Sequence, residues 1–186
     1  RKGSVVILNP KTGEILAMIS KPSFDPNNVS DADGDIFVDR SIQGLYPPGS
    51  IFKVITAASA LEHLEDMDNW RYNCTGSLDI EGEKISCYNE KAHGELDIAR
   101  SMVYSCNGAF AQLGNQVGWE GLLETAKRFG FNKNFLFSDI MIYDSKLNID
   151  KNTSKAELGW TSIGQGETLV TPFHMAMVAS AVANDG

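Results

Sequence analysis

The sequence predicts an α+β fold in which a mostly helical subdomain follows an N-terminal β-hairpin. Two apolar runs, residues 4–8 and 14–19, flank residues 9–13, which contain a proline and a glycine. A turn of this kind between two apolar runs is typical of a hairpin. Most of the remaining chain carries runs in which apolar residues recur at the spacing of helices. These runs cover residues 50–63, 96–104, 109–117, 119–129 and 173–182.

The helix predicted at residues 50–63 organises the chain. Residues 46–53, Tyr-Pro-Pro-Gly-Ser-Ile-Phe-Lys, lead into it. Two prolines and a glycine stiffen and then turn the chain, and the alanine-rich run that follows is typical of a buried helix. Ser50 is therefore predicted at the helix N-terminus. Because Ser50 and Lys53 are three residues apart, they share a helical face, and the lysine amine comes within reach of the serine hydroxyl.

A serine beside a lysine amine suits nucleophilic catalysis without a histidine. A lone hydroxyl is a weak nucleophile at neutral pH, but a partly neutral amine can accept its proton during attack. The free N–H groups at a helix start also favour the negative charge of an acyl oxyanion. The alternative for Ser50 and Lys53 is a helix cap followed by an exposed lysine. A Ser-x-x-Lys spacing alone leaves both interpretations open.

Turn residues predict a second hairpin, and a lack of periodicity predicts two irregular connections. Residues 77–80 and 84–87 flank a turn that contains Glu and Gly, which predicts a second hairpin. Residues 20–44 and 131–160 are polar and weakly patterned. We expect both of these stretches to be irregular surface connections.

Glycine and proline mark the ends of the later helices. Gly118 and Gly130 bracket the run at 119–129 and predict its two boundaries. Residues 163–166, Ile-Gly-Gln-Gly, predict a turn. Thr171-Pro172 supplies an N-cap followed by proline at the first helical position, so the last helix is predicted to begin there.

Composition excludes some classes of partner. The chain has 186 residues, of which 42% are apolar, enough for a sizeable core. Its net charge is −8, so it lacks the basic surface that nucleic acids or anionic lipids require. No apolar run reaches membrane-spanning length, and any membrane anchor is expected outside this chain.

The three cysteines, Cys74, Cys87 and Cys106, are too few to indicate a disulfide framework. Cys74 and Cys87 are either bridged across a small hairpin in an oxidising compartment or both reduced. With His93 they are near in sequence, but they lack the tight spacing of zinc motifs, so we expect no metal and no cofactor. The other histidines have no nearby nucleophile, and a Ser-His-Asp triad is not supported.

A second motif, Ser105-Cys106-Asn107, lies between two predicted helices. A serine in such a loop can relay a proton, and an asparagine can hold a substrate amide. In this order, residues 46–53 and Ser105-Cys106-Asn107 resemble the transpeptidase domain of penicillin-binding proteins. The resemblance spans nearly the whole chain. Its longer matches are residues 6–18, 40–44, 93–94, 164–166 and 171–172.

The resemblance implies a role for each motif residue. Ser50 would be the acyl-ester nucleophile and Lys53 its proton acceptor. Ser105 would pass a proton to the leaving D-alanine or to the β-lactam nitrogen, and Asn107 would hold the substrate amide. The backbone N–H of Ser50 would form part of the oxyanion hole.

The sequence departs from the family at the third motif, Lys-Ser/Thr-Gly, which belongs on a later strand. Lys11-Thr12-Gly13 has matching letters but lies in the first hairpin turn, upstream of Ser50. The resemblance therefore implies a β-lactamase/transpeptidase-like fold that lacks its C-terminal strands, with residues 1–186 forming an incomplete domain. In such a fragment the hairpin would expose an unpaired edge and one face. We therefore expect weak acylation by the isolated chain, and we expect the chain either to be part of a longer polypeptide or to associate through the hairpin.

The implied activity is that of a penicillin-binding D,D-transpeptidase that cross-links peptidoglycan stem peptides and is acylated by β-lactams. The alternatives are a serine β-lactamase, a D,D-carboxypeptidase, a β-lactam sensor domain, or a catalytically silent module of a cell-wall assembly complex. The implied partners are stem peptides, β-lactams, cell-wall assembly proteins and a second copy of the hairpin, with no nucleic acid. The implied location is the extracytoplasmic face of a bacterial membrane.

Overall fold

The computed structural model describes residues 2–29, 34–135, 137 and 139–186. The strands are β1 (Gly3–Leu8), β2 (Ile15–Lys21), β3 (Tyr72–Cys74), β4 (Ser77–Ile80), β5 (Glu83–Ser86) and β6 (Gly94–Leu96). The α-helices are α1 (Lys53–His63), α2 (Ile98–Val103), α3 (Asn107–Arg128), α4 (Lys155–Ser162) and α5 (Pro172–Ala183). Short 3₁₀ helices span Gly34–Phe37, Gly49–Phe52 and Tyr88–Glu90.

The chain forms two compact units, each built from segments distant in sequence. The described residues of Arg1–Tyr46, Gly130–Lys146 and Leu169–Gly186 form the first unit. Pro47–Phe129 and Leu147–Thr168 form the second. Strands and helices occur in both units, so the predicted α+β class is confirmed.

The first unit contains the predicted N-terminal hairpin. Strands β1 and β2 pair antiparallel, with Val5 opposite Ile19, and Gly13 in the turn has a φ of +75° that favours glycine. Alternate residues of β1 are half-buried, and α5 packs against this strand. Val5 and Leu16 are exposed, Leu16 by 63%. Within the described residues the sheet has only these two strands, so its outer edges are unpaired, as expected.

The last helix begins as predicted. The Thr171 side chain accepts a hydrogen bond from the His174 N–H at 3.2 Å, and Pro172 occupies the first turn, where a missing N–H has no cost. The predicted surface connection at residues 20–44 is only partly observed. Ser20 belongs to β2, which ends at Lys21. Arg40 and Ser41 are buried. Residues 30–33 lie outside the described residues.

The prediction of a surface excursion at residues 131–160 is wrong in part, because buried residues and the start of a helix lie among the exposed ones. Phe131, Ile142 and Leu147 are buried, and residues 155–160 belong to α4. This helix starts with a capping box, in which the Ser154 hydroxyl accepts from the Glu157 N–H and the Glu157 carboxylate accepts from the Ser154 N–H. Residues 136 and 138 of this stretch lie outside the described part of the chain.

The core of the second unit lies between α1 and α3. Its members are apolar side chains that are almost fully buried, among them Ala60, Ile85, Phe110, Leu113 and Ile163. Helix α3 is interrupted at Gly118, where φ is +80°, so the two helical runs predicted on either side of this glycine are both present.

Two hairpin-like pairings complete the second unit. Strands β4 and β5 form the second predicted hairpin, and Glu81 and Gly82 both have positive φ, as a type I′ turn requires. Strands β3 and β6 pair with Tyr72 opposite Leu96. Leu96 was expected in a helix, but it lies in β6, and α2 starts only after Asp97, whose side chain caps it.

The α3–α4 contact yields a stability prediction. Helices α3 and α4 meet at Gly114, where an added Cβ would lie 1.7 Å from the Ser162 Oγ and 2.5 Å from its Cβ. Ser162 is fully buried and cannot move away. Gly to Ala inside a helix normally stabilises by about 1 kcal/mol, but overpacking costs roughly 1–3 kcal/mol. We therefore expect Gly114→Ala to lower the free energy of unfolding by about 1 kcal/mol or more.

Urea unfolding of the intact protein followed by tryptophan fluorescence measures this change, because Trp70, Trp119 and Trp160 all lie in the second unit. The matched control is Gly114→Ala in a Ser162→Gly background, where the clash is removed and the alanine should no longer destabilise. An equal loss of stability in both backgrounds would contradict this explanation.

Candidate active site

The second unit brings all four predicted site residues together around the Lys53 amine. Its Nζ lies 3.3 Å from the Ser50 Oγ and 3.0 Å from the Ser105 Oγ. It lies 2.6 Å from the Asn107 Oδ1, and 2.8 Å from the backbone carbonyl of Ser105. Ser105 and Asn107 are more than fifty positions from Lys53 in sequence, so the packing of α1 on α3 brings them to it.

Ser50 lies in the 3₁₀ helix Gly49–Phe52, and the α-helix begins only at Lys53. The prediction that Ser50 lies at the start of the α-helix is therefore corrected: Ser50 lies in a 3₁₀ turn that directly precedes the α-helix. A 3₁₀ turn has three residues per turn, so residues at positions i and i+3 are nearly eclipsed. This geometry keeps the Ser50 hydroxyl and the Lys53 amine on the same side.

The turn at residues 163–166 supports the backbone beside Ser50. The Gly49 N–H donates to the Gly164 carbonyl at 2.8 Å. Gly164 has a φ of +74°, and a Cβ there would lie 2.1 Å from the Gly49 carbonyl oxygen. Only glycine permits this approach. The sequence predicted the turn but not its contact with the serine segment.

Lys53 is fully buried, with 0% of its surface exposed. The ion pairs of the described residues do not include it, and its contacts are hydroxyl, amide and carbonyl oxygens. Burial disfavours the charged ammonium and lowers the pKa of Lys53 to about 8, although the nearby Cys106 and Cys87 oppose this shift. An appreciable fraction of the amine is therefore neutral near physiological pH.

Ser105 lies in the turn that ends α2. Its N–H donates to the Met102 carbonyl at 3.0 Å, and the Cys106 N–H donates to the Ser101 carbonyl at 2.9 Å. These two bonds form a Schellman motif, in which the residue at C′ has a left-handed conformation and is usually glycine. Ser105 has a φ of +49°. A serine therefore occupies a position that favours glycine, and its hydroxyl contacts Lys53.

Asn107 is the first residue of α3, and hydrogen bonds fix both ends of its amide. The Oδ1 accepts from Lys53, and the Nδ2 donates to the Ser86 carbonyl at 2.7 Å. Ser86 ends β5, which is anchored in the core by the fully buried Ile85. The second hairpin thus orients Asn107, and one Nδ2 hydrogen remains for another acceptor.

A cleft of about 290 Å³ opens at these residues. Aromatic side chains form part of its lining. Tyr88 is 87% exposed, and the His93 ring stacks on Tyr104 with a centroid distance of 5.3 Å. No local pattern in the sequence predicted this wall, because its rings come from separate segments. The complete lining is Ser50, Ser86, Cys87, Tyr88, His93, Tyr104, Ser105 and Asn107.

Cys74, Cys87, His93 and Cys106 converge beside this cleft, with their four potential ligand atoms within 4.8 Å of one another. The expectation against a metal site relied on sequence spacing and left Cys106 out, whereas the fold groups all four residues into a set that can hold a metal ion. All three cysteines are free thiols, and the Cys74 and Cys87 sulfurs are 3.7 Å apart, too far for the bond of about 2.05 Å.

With the site described, comparison with known proteins identifies the family. Residues 3–186 match the family model for the penicillin binding protein transpeptidase domain. The chain therefore belongs to the penicillin-binding protein transpeptidase family, and the resemblance found in the sequence is confirmed. The structure describes no helix that is long and apolar enough to cross a membrane.

Three relatives illustrate this similarity. Peptidoglycan D,D-transpeptidase PbpA of Mycobacterium tuberculosis is 32% identical over 205 residues, covering 100% of this chain and 41% of PbpA. A penicillin G acyl-enzyme complex of M. tuberculosis penicillin-binding protein A is 31% identical with a TM-score of 0.88, over 100% of this chain and 46% of that one. A D,D-transpeptidase domain from Eggerthella lenta is 33% identical with a TM-score of 0.89, over 100% and 50%. The chain thus spans half or less of the length of each of these relatives.

The Schellman motif at Ser105 generates a stability prediction. Ser105→Gly and Ser105→Ala both remove the hydroxyl, but only glycine adopts the observed φ without strain. We expect the glycine variant to be more stable than the alanine variant by about 1 kcal/mol. Urea unfolding of the two variants of the intact protein measures this difference. Equal stabilities would show that the left-handed conformation costs nothing here.

Proposed function

We propose that the protein containing this chain is a peptidoglycan D,D-transpeptidase, which cross-links stem peptides through an acyl ester on Ser50 and is acylated by β-lactams at the same residue. The contacts of the buried Lys53 amine with Ser50, Ser105 and Asn107 carry this proposal. The relatives support it, because they include a peptidoglycan D,D-transpeptidase and a penicillin G acyl-enzyme complex.

The hydrogen-bond partners of Lys53 suit a neutral amine that acts as a base. A neutral amine has two N–H donors and one lone pair. The Ser105 carbonyl and the Asn107 Oδ1 can only accept, so they take the two donors. The lone pair is then left for a hydroxyl that can donate, such as that of Ser50 at 3.3 Å. In this state Lys53 can remove the Ser50 proton as the oxygen attacks.

The acylation step then proceeds as follows. The Ser50 Oγ bonds to the substrate carbonyl carbon, and its proton moves to the Lys53 Nζ. When the carbon–nitrogen bond breaks, the departing nitrogen needs a proton, which the Ser105 hydroxyl relays from Lys53, 3.0 Å away. D-alanine leaves in the peptide reaction, while the nitrogen of an opened β-lactam stays attached. A stem-peptide amine then attacks the ester, and Ser50 regains a proton.

Two further roles complete the proposed site. The Ser50 N–H is one donor to the oxyanion, and a strand with the Lys-Ser/Thr-Gly motif would complete the oxyanion hole. Asn107 holds the substrate amide through its remaining Nδ2 hydrogen. Lys11-Thr12-Gly13 lies between β1 and β2, in the first unit, and has no role in this proposal.

Transfer and hydrolysis differ in what attacks the ester, an amine or water, and Lys53 can act as the base for either. The name of the relative PbpA as a peptidoglycan D,D-transpeptidase is what favours transfer over a β-lactamase or a D,D-carboxypeptidase.

We propose that residues 1–186 supply the nucleophile, the base and the proton relay of an incomplete transpeptidase domain, and that the protein acts at the extracytoplasmic face of a bacterial membrane. The name of the relative PbpA as a peptidoglycan D,D-transpeptidase supports this location. Stem peptides and β-lactams are the proposed ligands, and cell-wall assembly proteins and self-association through the β1–β2 edge are further proposed contacts.

Labelling of the full-length protein with a fluorescent penicillin tests the nucleophile. Ser50→Ala is expected to abolish covalent labelling, while Ser180→Ala, a serine change on α5 in the first unit, should label like the unaltered protein. Mass spectrometry of the labelled peptide should place the adduct on Ser50. Labelling that survives in Ser50→Ala would overturn the proposal.

The products distinguish the activities. Peptidoglycan pentapeptide substrates should yield dimers joined through a new amide bond. Loss of D-alanine without dimers would indicate a carboxypeptidase, and rapid release of hydrolysed penicillin would indicate a β-lactamase. A stable penicillin adduct without any peptide turnover would indicate a sensor. Cells that retain normal cross-linking and growth with Ser50→Ala would indicate a silent assembly module.

The lowered pKa of Lys53 predicts the pH dependence of acylation. Below about pH 8 the ammonium dominates, so the acylation rate constant should rise about tenfold per pH unit and level off above about pH 8. Stopped-flow measurements with a chromogenic β-lactam give this profile. Lys53→Arg is the control, because a guanidinium stays protonated and should leave a low rate without this rise. A flat profile between about pH 6 and 9 in the unaltered protein would rule out Lys53 as the base.

A further inference from the structure

We propose that Cys74, Cys87, His93 and Cys106 bind one zinc ion, and that this ion holds the loop that carries Ser105 and Asn107. The metal site goes beyond the proposed transpeptidase function and does not depend on it. Only its effect on acylation rests on that function.

Three of the six distances between the ligand atoms match tetrahedral zinc, and the other three are at most 4.8 Å. Zinc binds cysteine sulfur at about 2.3 Å and histidine nitrogen at about 2.0–2.1 Å. A tetrahedron with these bond lengths places two sulfurs about 3.8 Å apart and a sulfur and a nitrogen about 3.5 Å apart. The Cys74 and Cys106 sulfurs each lie 3.7 Å from the Cys87 sulfur, and the Cys74 sulfur lies 3.4 Å from the His93 Nδ1.

The ligand set also favours zinc over a disulfide. The Cys87 sulfur is equally distant from two other sulfurs, so neither pair is preferred for a bond. One ion would satisfy all three thiolates and the imidazole at once. Three thiolates and one imidazole in a tetrahedral arrangement are typical of a closed structural zinc site.

Backbone hydrogen bonds hold the segments that carry the four ligands close to one another. The His93 N–H donates to the Cys74 carbonyl at 3.2 Å, which joins the ends of β3 and β6. The Cys87 N–H donates to the Gly76 carbonyl at 2.8 Å. Gly76 has a φ of +105°, and a Cβ there would lie 2.2 Å from the Glu90 carbonyl. Close backbone contacts therefore hold the turn between the first two cysteines.

The surroundings orient the ligands. The three cysteines are buried, so solvent is largely excluded from the sulfurs. The His93 ring stacks on Tyr104 with an interplanar angle of 13°, and this contact fixes its plane. Supporting contacts of this kind are common around metal-bound histidines and preserve ligand orientation.

Two ligands adjoin residues of the candidate active site. Cys106 lies between Ser105 and Asn107, and Cys87 follows Ser86, whose carbonyl accepts from Asn107. A metal bond to both cysteines would tie these two segments together through one ion. The ion would therefore be a positioning element for Ser105 and Asn107, and it would not contact the substrate.

The first test is the metal content of the full-length protein, purified without chelators, incubated with one equivalent of zinc chloride and then dialysed. Elemental mass spectrometry should give about one zinc per protein. Replacement by Co²⁺ should give the absorption spectrum of tetrahedral thiolate coordination. Zinc below one tenth of an equivalent, together with three thiols that react readily in the folded protein, would overturn the proposal. A Cys74–Cys87 or Cys87–Cys106 disulfide would also overturn it.

Variants at His93 separate ligation from packing. His93→Gln should lose the metal, whereas His93→Cys should keep it, because four cysteines also form a zinc site. Tyr104→Phe is the matched control, since it keeps the ring beside His93 and removes no ligand atom. Loss of zinc in Tyr104→Phe but not in His93→Gln would contradict the ligand assignment.

The positioning role has its own readout. Removal of zinc by a chelator should lower the penicillin acylation rate of the full-length protein at least about tenfold, and re-addition should restore it. Unchanged acylation after zinc removal would overturn the positioning role alone. Stoichiometric zinc without any penicillin labelling would instead count against the transpeptidase function, so the two proposals fail in different ways.

Discussion

The second unit depends on the burial of one lysine amine. A buried ammonium without partners would be very costly, and Lys53 is fully buried. Its partners are neutral oxygens of Ser50, Ser105 and Asn107, and no carboxylate pairs with it in the described ranges. A carboxylate would stabilise the charged form and raise the pKa. Neutral acceptors satisfy the N–H groups while burial keeps the pKa low, and a proton acceptor needs both.

The positions of Ser50 and Asn107 around Lys53 depend on contacts with other segments of the second unit. Gly164 lies so close to the Gly49 carbonyl that it has no room for a Cβ, and Gly49 itself has a φ of +59° that favours glycine. The 3₁₀ turn that carries Ser50 starts at this contact. Asn107 is held by the carbonyl of Ser86 at the end of the second hairpin. The helices supply Lys53 and Asn107, while turns and a strand end fix their geometry. Precision at the site therefore comes from the loops as much as from the core.

Sequence reasoning succeeded where the signal was local. Both hairpins, the break at Gly118 and the cap at Thr171 follow from neighbouring residues, and the structure contains each of them. Helix α4 was also signalled locally by Ser154 and Glu157, but the polar surroundings concealed this capping box. The pairing of Tyr72 with Leu96 was not predictable in this way, because it joins segments more than twenty residues apart.

The same distinction applies to the site. Ser50 and Lys53 were grouped by their spacing, whereas the placement of Ser105 and Asn107 beside them was expected only from the family resemblance. Neither residue spacing nor the family resemblance predicted the cluster of Cys74, Cys87, His93 and Cys106, because its members come from separate segments without tight spacing. Long-range convergence of this kind depends on the fold and cannot be read from local patterns.

Ser105 shows why the loop between α2 and α3 needs support from several directions. The Schellman motif places it at a position where glycine would be less strained, while its hydroxyl contacts Lys53 and is the group that the proposed proton relay requires. Strain of this kind persists only where the surrounding contacts determine the conformation. The bonds to Ser101 and Met102 fix one side of this loop, and the contact of Asn107 with Ser86 fixes the other. A metal bond at Cys106 would act between these two sets of contacts and tie them to the segments that carry Cys74, Cys87 and His93.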